Sequence, residues 1–280
     1  MQLVTTIVEL QKIIKNWRLA KKRIAFVPTM GNLHDGHLKL VHEARKHADY
    51  VVVSIFVNPT QFGVGEDFAN YPRTEQEDIK KLQAVSADLL FLPSADEMYA
   101  PNAKTVVSVP GISDLYCGAS RPGHFNGVAT VVCKLFNMVQ PDSAVFGLKD
   151  FQQLAVIRMM VRDLNIPVHI IGVATVREAS GLAMSSRNGY LTAQEKTIAP
   201  LLYQALCAAR TAVQESKRPY PEIERDAMQF LQQAGFRPDY FSVCRSGDLN
   251  KAGPEDVDLV LLAAAKLGGT RLIDNVCFSR

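Results

Sequence analysis

Two hydrophobic periodicities alternate along the first part of the chain. Short apolar runs, such as residues 24–27 and 50–57, have the length and the β-branched content of buried strands. Between these runs, apolar residues recur every three or four positions, as on the buried face of a helix. The alternation predicts an α/β fold in which helices cover both faces of a doubly wound parallel sheet. The expected strands are residues 24–27, 50–57, 88–92, 105–109, 144–146 and 168–173. The first expected helix runs from residue 7 to about residues 21–23, and the other helices are expected at residues 38–48, 74–86, 128–139 and 150–164.

The pattern changes after about residue 176. Two long helical patterns come first, at residues 192–216 and 221–234, and strand-like runs follow them. This order is typical of a small α+β unit. The sequence therefore predicts two domains, at residues 1–175 and 176–280, with a hinge near residues 175–181. The strands of the second domain are expected at residues 240–245, 257–264 and 270–277.

Composition narrows the classes of function that the chain can have. Of its 280 residues, 48% are hydrophobic and 21% are charged, and the formal net charge is +3. So small a charge does not favour nucleic acid as a partner, and the longest apolar run, residues 259–265, is too short to span a membrane. The five scattered cysteines lack the spacing of zinc or redox motifs, and the N-terminus lacks the order of a signal peptide. We therefore expect a cytoplasmic protein that binds neither nucleic acid nor membrane.

Residues 28–37 contain more residues suited to ligand binding than any other stretch of the sequence. They read Pro-Thr-Met-Gly-Asn-Leu-His-Asp-Gly-His and connect the first expected strand to the helix that follows. A helix N-terminus at this point directs free N–H groups and a partial positive charge at a ligand, which favours phosphate. Gly31 and Gly36 allow the backbone to approach that ligand closely, and His34 and His37 supply donors for phosphoryl oxygens. The alternative is a glycine-containing loop with two surface histidines, because short motifs also occur by chance.

Two further polar segments each follow a predicted strand, which places them in the same cleft. Asn58 and Gln61 offer neutral amides, which suit a small molecule with hydroxyl and carboxylate groups. The alternative is an ordinary turn capped by Asn-Pro. Lys149 lies where a positive charge would meet a phosphate, and Gln153 lies one turn into the next helix. The alternative here is a surface lysine at the start of a helix.

A third polar segment, residues 184–187, lies close to the expected hinge. Its sequence Met-Ser-Ser-Arg provides two hydroxyls and a guanidinium, which could close on a triphosphate. The alternative is a serine-rich linker with one arginine. We expect no metal site at His34 and His37, because Asp35 is the only further ligand nearby and no cysteine adjoins them.

These segments resemble known nucleotide-binding signatures. The His-x-Gly-His of residues 34–37 is similar to the signature of adenylyl-transferring nucleotidyltransferases and class I aminoacyl-tRNA synthetases, and residues 184–187 occupy the place of the second synthetase motif. Over essentially the whole chain, longer strings resemble the pantothenate synthetase (pantoate–β-alanine ligase) family. These strings are residues 28–34, 56–63, 121–125, 150–153 and 185–191.

The resemblance implies a Rossmann-like first domain, a smaller C-terminal lid domain and a reaction in two steps. The carboxylate of pantoate attacks the α-phosphorus of ATP, which releases pyrophosphate and leaves pantoyl adenylate. The amine of β-alanine then attacks the acyl carbon and releases AMP and pantothenate. The resemblance further implies Mg²⁺ bound through the phosphates rather than by a protein cage, and a homodimer.

The resemblance also assigns roles to individual residues. His37, His34 and Lys149 are the expected catalytic residues, with His37 as proton donor. Gln61 and Gln153 are expected to bind pantoate, and Gln61 and Asn58 to bind β-alanine. The expected ATP-binding residues are Met30, Gly31, Asn32, Leu33, His34, Asp35, Gly36, His37, Gly147, Leu148, Lys149, Asp150, Val176, Met184, Ser185, Ser186 and Arg187.

The sequence departs from the family pattern at two positions next to these strings. Leu148 stands where the family usually has glutamate, and Asn126 stands where it commonly has arginine, so we expect altered local packing or altered contacts between subunits. Two rival functions remain open at this point. One is another nucleotidyltransferase, which makes a dinucleotide cofactor or a CDP-alcohol, although Gln61 and Gln153 suit a small hydroxy acid better. The other is an ATP-binding regulatory protein without catalytic activity.

Overall fold

A computed structural model describes residues 1–216 and 218–280, and its architecture confirms the predicted fold class. Six strands form one sheet in which every neighbouring pair is parallel. In chain order they are β1 (Gln2–Val4), β2 (Ile24–Thr29), β3 (Tyr50–Ile55), β4 (Leu89–Phe91), β5 (Ser143–Gly147) and β6 (His169–Val173). Across the sheet the order is β1-β4-β3-β2-β5-β6.

Helices connect these strands and cover both faces of the sheet. They are α1 (Ile7–Leu19), α2 (Asp35–Arg45), α3 (Glu75–Ala84), α4 (Ala95–Met98), α5 (Cys117–Ser120), α6 (His124–Val139) and α7 (Phe151–Asp163). Short 3₁₀ turns lie at Pro59–Gln61, Ile112–Asp114 and Leu148–Asp150. Within the described residues, no helix is both long enough and apolar enough to cross a bilayer.

The central strands are buried on both faces. Ile24 and Phe26 of β2 point into a core that they share with α1, α6 and α7, whereas Ala25 and Val27 point into a core shared with α2 and α3. All four side chains are fully buried. Successive side chains of a strand point to opposite faces, so a strand covered on both sides must be apolar at every position. This explains the continuous apolar run that predicted β2.

Two expectations for the first domain are corrected by the structure. Residues 105–109 do not form the predicted strand, because the Val107 N–H donates to the Thr130 hydroxyl of α6 (2.9 Å) instead of to a neighbouring strand. The first strand of the sheet, β1, was not predicted, because three residues are too few to show a periodicity. The helix expected from residue 128 begins earlier, at His124.

The C-terminal part builds a second, antiparallel sheet. Its strands are β7 (Arg237–Arg245), β8 (Asp258–Leu267) and β9 (Thr270–Ser279), in that order. The helix expected at residues 192–216 is two helices, because Pro200 lacks the N–H that would continue the hydrogen-bond ladder. The helices of this part are α8 (Ala193–Ile198), α9 (Leu201–Glu215) and α10 (Tyr220–Gln233), and a 3₁₀ turn lies at Ser186–Tyr190.

The second sheet is covered on both faces. Leu259 and Leu261 of β8 pack in a core with α9 and α10, whereas Val260 and Leu262 join the core of the large sheet. The two parts of the chain are therefore in apolar contact as well as linked by the chain. The division into domains at residues 175 and 176 stays a prediction.

The order of the large sheet leaves a crevice between β2 and β5. The chain winds outward from β2 through β3 and β4 in one direction, and from β5 to β6 in the other. β2 pairs with β3 along its whole length, but with β5 only at Ala25 and Phe26. Beyond these pairs the ends of β2 and β5 diverge. Ligands of doubly wound sheets bind at such a reversal of strand order, outside the carboxyl ends of the strands.

Gly127 provides a test of how α6 is packed against the turn that carries Gln61. A β-carbon at residue 127 would lie 2.3 Å from the carbonyl oxygen of Thr60 and 2.7 Å from the Cα of Gln61. We expect Gly127→Ala to lower the free energy of unfolding by about 1–3 kcal/mol, because the backbone must shift to remove this clash. Urea denaturation measures the change.

The matched control is Gly247→Ala, where a β-carbon would meet none of the described residues within 4 Å. Equal denaturation midpoints for the two variants would contradict the close approach of α6 to this turn.

Candidate functional site

A cleft of about 1140 Å³ opens at the carboxyl ends of β2 and β5 and extends to β9. It brings together most of the residues that the sequence singled out. Those that line it are Met30, His34, Gly36, His37, Asn58, Gln61, Gly147, Lys149, Asp150, Gln153, Val176, Met184, Ser185, Ser186 and Arg187. Gly31, Asn32, Leu33, Asp35 and Leu148 do not line it, although each lies in a segment that does.

The turn after β2 is held by a carboxylate that the sequence analysis missed. Gly31 and Asn32 have φ angles of +83° and +49°, a left-handed conformation that glycine and asparagine tolerate best. The N–H groups of Asn32 and Leu33 then donate to the two oxygens of Asp78, each at 2.8 Å. Asp78 lies on α3 and is fully buried. Lys81, one turn further along α3, donates to the carbonyl of Leu33 (2.6 Å).

His34 and His37 cap the N-terminus of α2. The Gly36 N–H donates to Nδ1 of His34 (3.2 Å), and the His34 N–H donates to Nδ1 of His37 (3.3 Å). A ring nitrogen that accepts a hydrogen bond carries no proton, so in both neutral rings the proton is on Nε2. The two rings lie with their centroids 4.1 Å apart. Each ring therefore has one N–H donor left for a ligand.

Both imidazoles are neutral at physiological pH. Burial lowers the pKa of His34 to about 4, and the nearby Lys149 ammonium adds to this effect. Burial, together with the proximity of His34, lowers the pKa of His37 to about 3. The two histidines are thus available as neutral hydrogen-bond donors, and Lys149 and Arg187 are among the positively charged side chains that line the cleft.

Gln61 is held in place by Asn58. The Asn58 amide donates to Oε1 of Gln61 (3.1 Å) and to the carbonyl of Gly127 (3.2 Å), while its own oxygen accepts from the Tyr99 hydroxyl (2.9 Å). Asn58 is almost fully buried, and both of its amide protons are used. The amide of Gln61 in turn lies 3.0 Å from the sulfur of Met30. Since that thioether is a weak acceptor, the Gln61 amide remains available to a ligand.

A second network holds the backbone of Gln61. His124 Nδ1 lies 2.8 Å from the carbonyl of Gln61, and Arg121 lies 3.0 Å from Nε2 of the same ring. Arg121 also forms a bidentate pair with Glu66, with both contacts at 2.6 Å. Burial, followed by the charge of Arg121, lowers the pKa of His124 to about 4. A neutral His124 can donate from Nδ1 to the carbonyl while Nε2 accepts from Arg121.

The segment after β5 places Lys149 in the cleft. Its ammonium lies 3.5 Å from the carboxylate of Asp150. Burial acts to raise the pKa of Asp150, but the charges of Lys149 and Arg187 outweigh it, so the pKa lies below the ordinary value. Leu148, the departure from the family pattern, packs against the core instead of lining the cleft. The substitution therefore leaves the surface of the cleft unchanged.

The two consecutive glutamines of α7 have different surroundings. Gln152 is buried, and its amide donates to the carbonyls of Ile112 (2.9 Å) and Leu115 (2.7 Å). Gln153 lines the cleft, and its side chain makes no hydrogen bond to any residue that the structure describes. Of the two, only Gln153 has polar atoms free for a ligand.

Residues 184–187 reach the cleft from the C-terminal part of the chain. The hydroxyl of Ser186 donates to the carbonyl of Asn32 (3.1 Å), so this segment is docked directly on the turn after β2. Arg187 forms a bidentate pair with Asp67, with both contacts at 2.9 Å. A carboxylate and a phosphate offer a guanidinium similar pairs of oxygens. Arg187 is thus placed and oriented to bind anionic oxygens.

Several residues that shape the cleft were not identified from the sequence. Arg121 and His124 belonged to a string that carried the family resemblance, but no role had been given to them. Asp78 could have been found from its spacing, because it lies four positions before the buried Leu82 on α3. An acidic residue at a position that faces the core is a signal in itself. Asp67 and Glu66 lie in an irregular loop and carry no such signal.

Comparison with known proteins identifies the family of the chain. The family model for pantoate–β-alanine ligase matches residues 2–277. Pantothenate synthetase from Methylococcus capsulatus is 56% identical over 100% of this chain and 98% of that relative. Pantothenate synthetase from Pseudomonas fluorescens (strain SBW25) is 55% identical over 99% of this chain and 98% of that relative.

Solved structures show the same fold. The crystal structure of pantothenate synthetase from Thermus thermophilus superposes with a TM-score of 0.93 at 45% identity, over 99% of both chains. Pantoate–β-alanine ligase from Francisella tularensis, in complex with β-γ ATP and β-alanine, superposes with a TM-score of 0.83 at 33% identity, over 99% of this chain and 97% of that one. This chain belongs to the pantoate–β-alanine ligase family.

Proposed function

We propose that the chain catalyses the ATP-dependent condensation of pantoate with β-alanine, a step of pantothenate (vitamin B5) and coenzyme A biosynthesis. Pantoate carboxylate displaces pyrophosphate from the α-phosphorus of ATP, and the β-alanine amine then displaces AMP from pantoyl adenylate. The observation that carries the proposal is the placement of two neutral imidazoles opposite Lys149 at the reversal of strand order. Family membership excludes the two rival functions that the sequence left open.

The side of the cleft that would bind the triphosphate must offset the repulsion between negatively charged groups. A carboxylate that attacks a triphosphate brings anions together, and the leaving pyrophosphate gains charge in the transition state. His34 and His37 would donate from Nε2 to phosphate oxygens, while Lys149 and Arg187 would neutralise charge on the leaving group. Because both imidazoles are neutral, His37 would act as a fixed hydrogen-bond donor rather than as an imidazolium acid. Further contacts to ATP are proposed for the segments around Met30, Gly147, Val176 and Met184.

The amide side of the cleft would hold the organic acid. Gln61 and Gln153 have amide groups available, and neutral amides can bind the hydroxyl and carboxylate of pantoate without an ion pair that would weaken the nucleophile. Gln61 is also the proposed contact for β-alanine. Asn58 was predicted to bind β-alanine too, but its amide protons are both used internally. We therefore assign to Asn58 the task of orienting Gln61.

Magnesium would enter with the triphosphate. Among the residues that the structure describes, no three His, Cys, Asp or Glu side chains are grouped to hold an ion. Mg²⁺ commonly needs only one or two carboxylates besides phosphate oxygens and water. The carboxylate of Asp150, which lines the cleft beside Lys149, fits this requirement. When bound, the ion would neutralise phosphate charge.

The family resemblance is the basis for three further proposals. The C-terminal part would close as a lid that keeps water from the adenylate. The chain would assemble as a homodimer, and it would act in the cytoplasm. Sedimentation of the purified protein tests the assembly.

The proposed reaction can be tested with the purified chain. With ATP, Mg²⁺, pantoate and β-alanine we expect pantothenate, AMP and pyrophosphate in equal amounts, and no AMP when pantoate is left out. The control variant His37→Ala should slow product formation by about two to three orders of magnitude, as expected for the loss of a donor to the transition state. Release of ADP instead of AMP, or AMP formation without pantoate, would contradict the proposal.

The protonation state of the two imidazoles gives a second prediction. We expect His34 and His37 to remain neutral from pH 8 down to about pH 5, because their pKa values of about 4 and about 3 lie below this range. NMR of labelled imidazoles, assigned with the His37→Ala variant, measures this directly. A titration midpoint near 6.5 for either ring would contradict it.

The same shifts make stability depend on pH. In the unfolded chain the histidines titrate near 6.5, so below that pH the unfolded state binds more protons than the folded state. The stabilisation from the two neutral imidazoles is therefore complete above pH 6.5. It is lost as the pH falls toward 4.

The role of Gln61 gives a third prediction. We expect Gln61→Ala to raise the KM for pantoate about ten- to a hundredfold, the range for one or two lost hydrogen bonds to a polar ligand. Binding of ATP, measured by calorimetry, should persist. The matched control is Gln76→Ala, since Gln76 is exposed on α3 and does not line the cleft. Equal loss of ATP and pantoate binding would show that Gln61 supports the fold instead of the ligand.

A further inference from the structure

Two consecutive residues of β9 connect the C-terminal sheet to the cleft. Asp274 and Asn275 are 5% and 6% exposed, although they lie on a strand of the smaller sheet. Buried polar side chains of this kind need partners, and each of the two finds them in a segment that borders the cleft.

Asn275 holds the segment that carries Lys149. Its amide nitrogen Nδ2 donates to the carbonyl of Leu148 and to that of Lys149, both at 2.8 Å. One amide nitrogen has two protons, so both are used. The two carbonyls belong to consecutive peptide units, and each peptide unit is planar. Fixing both carbonyls therefore fixes the orientation of the backbone from which the Lys149 side chain extends.

Lys149 depends on this support because its own side chain is weakly held. The ammonium has one hydrogen-bond partner among the described residues, Asp150, at the long distance of 3.5 Å. A flexible four-carbon side chain keeps its direction only if its backbone is fixed. A side chain whose two amide protons are both used within the protein can thus determine where the positive charge of Lys149 lies in the cleft.

Asp274 makes the corresponding contact on the other side of β9. Its carboxylate forms a bidentate pair with Arg177, at 2.6 and 2.9 Å, and the Arg177 guanidinium lies 3.5 Å from the ring centre of Tyr203. Arg177 lies next to Val176, whose carbonyl accepts from the Met184 N–H (2.9 Å). Successive side chains of a strand point to opposite sides, so β9 supports both cleft segments at once.

We propose that Asn275 is a positioning residue for adenylate formation, which acts by fixing the backbone of Leu148 and Lys149 and thereby the ammonium of Lys149. The proposal rests on the proposed role of Lys149 at the triphosphate. Asn275 itself donates both of its amide protons to the protein and is not a catalytic residue.

The test compares Asn275→Ala in two backgrounds, the natural chain and Lys149→Ala. In the natural chain we expect kcat/KM for ATP to fall about ten- to a hundredfold, the range found when a supporting residue of a site is removed. In the Lys149→Ala background we expect the same change to have less than about a threefold effect, because residues that act through one group are not additive. Equal losses in the two backgrounds would show a merely structural role and overturn the proposal.

Two further variants control for folding and packing. Asn275→Asp keeps the size and shape of the side chain but directs a carboxylate at two carbonyl oxygens, so we expect it to lose at least as much activity as Asn275→Ala. Activity of Asn275→Asp equal to that of the natural chain would overturn the proposal. Asn250→Ala removes an exposed amide in the same part of the chain, whose side-chain partner among the described residues is Asp248. It should leave kcat/KM unchanged.

The design separates this inference from the function on which it rests. If Lys149→Ala alone leaves kcat/KM for ATP unchanged, the proposed role of Lys149 is wrong, and the positioning role of Asn275 falls with it. If Lys149→Ala has a large effect and Asn275→Ala has none, the proposed function stands and only the role of Asn275 is wrong.

Discussion

The geometry of the cleft depends on one buried carboxylate. Asp78 is withdrawn from water, which is unfavourable unless hydrogen bonds compensate, and the N–H groups of Asn32 and Leu33 supply them. Those N–H groups can converge on Asp78 only because the backbone of Gly31 and Asn32 is left-handed. The turn then ends at His34, which caps α2. Both histidines are thus positioned by the hydrogen bonds of Asp78, which does not itself line the cleft.

Burial keeps the two histidines neutral, which is the protonation state that the proposed reaction requires. An imidazolium beside the attacking carboxylate would hold the nucleophile in an ion pair, whereas a neutral ring donates a hydrogen bond and leaves the carboxylate free to react. In the proposed reaction, positive charge at the triphosphate comes instead from Lys149 and Arg187, which reach the cleft from different parts of the chain. Each is held by a polar side chain from another part of the chain, the Lys149 backbone by Asn275 and the Arg187 guanidinium by Asp67. Such fixed donors and charges need little rearrangement as charge develops on the leaving group.

How much could be predicted from the sequence depended on the range of the interactions involved. The strands β2 and β3 and the turn between β2 and α2 were predicted, because an apolar run and a motif of ten residues are local signals. The family resemblance added roles for Gln61 and Gln153. The break at Pro200 was not predicted, although an internal proline is itself a local signal for it. The absence of a strand at residues 105–109 was not predicted, since strand propensity is overridden where no neighbouring strand is available. The contacts of Asp78 and Asn275 join residues far apart in the chain, and one sequence contains no signal for such pairs.

Isotope exchange between pyrophosphate and ATP tests the central claim most directly, because it reports adenylate formation alone. The reaction contains Mg²⁺, with and without pantoate, and no β-alanine. The account predicts exchange that requires pantoate, since the cleft would hold the triphosphate and the carboxylate for the first step without the amine. Exchange in the absence of pantoate, or no exchange although ATP is bound, would contradict it.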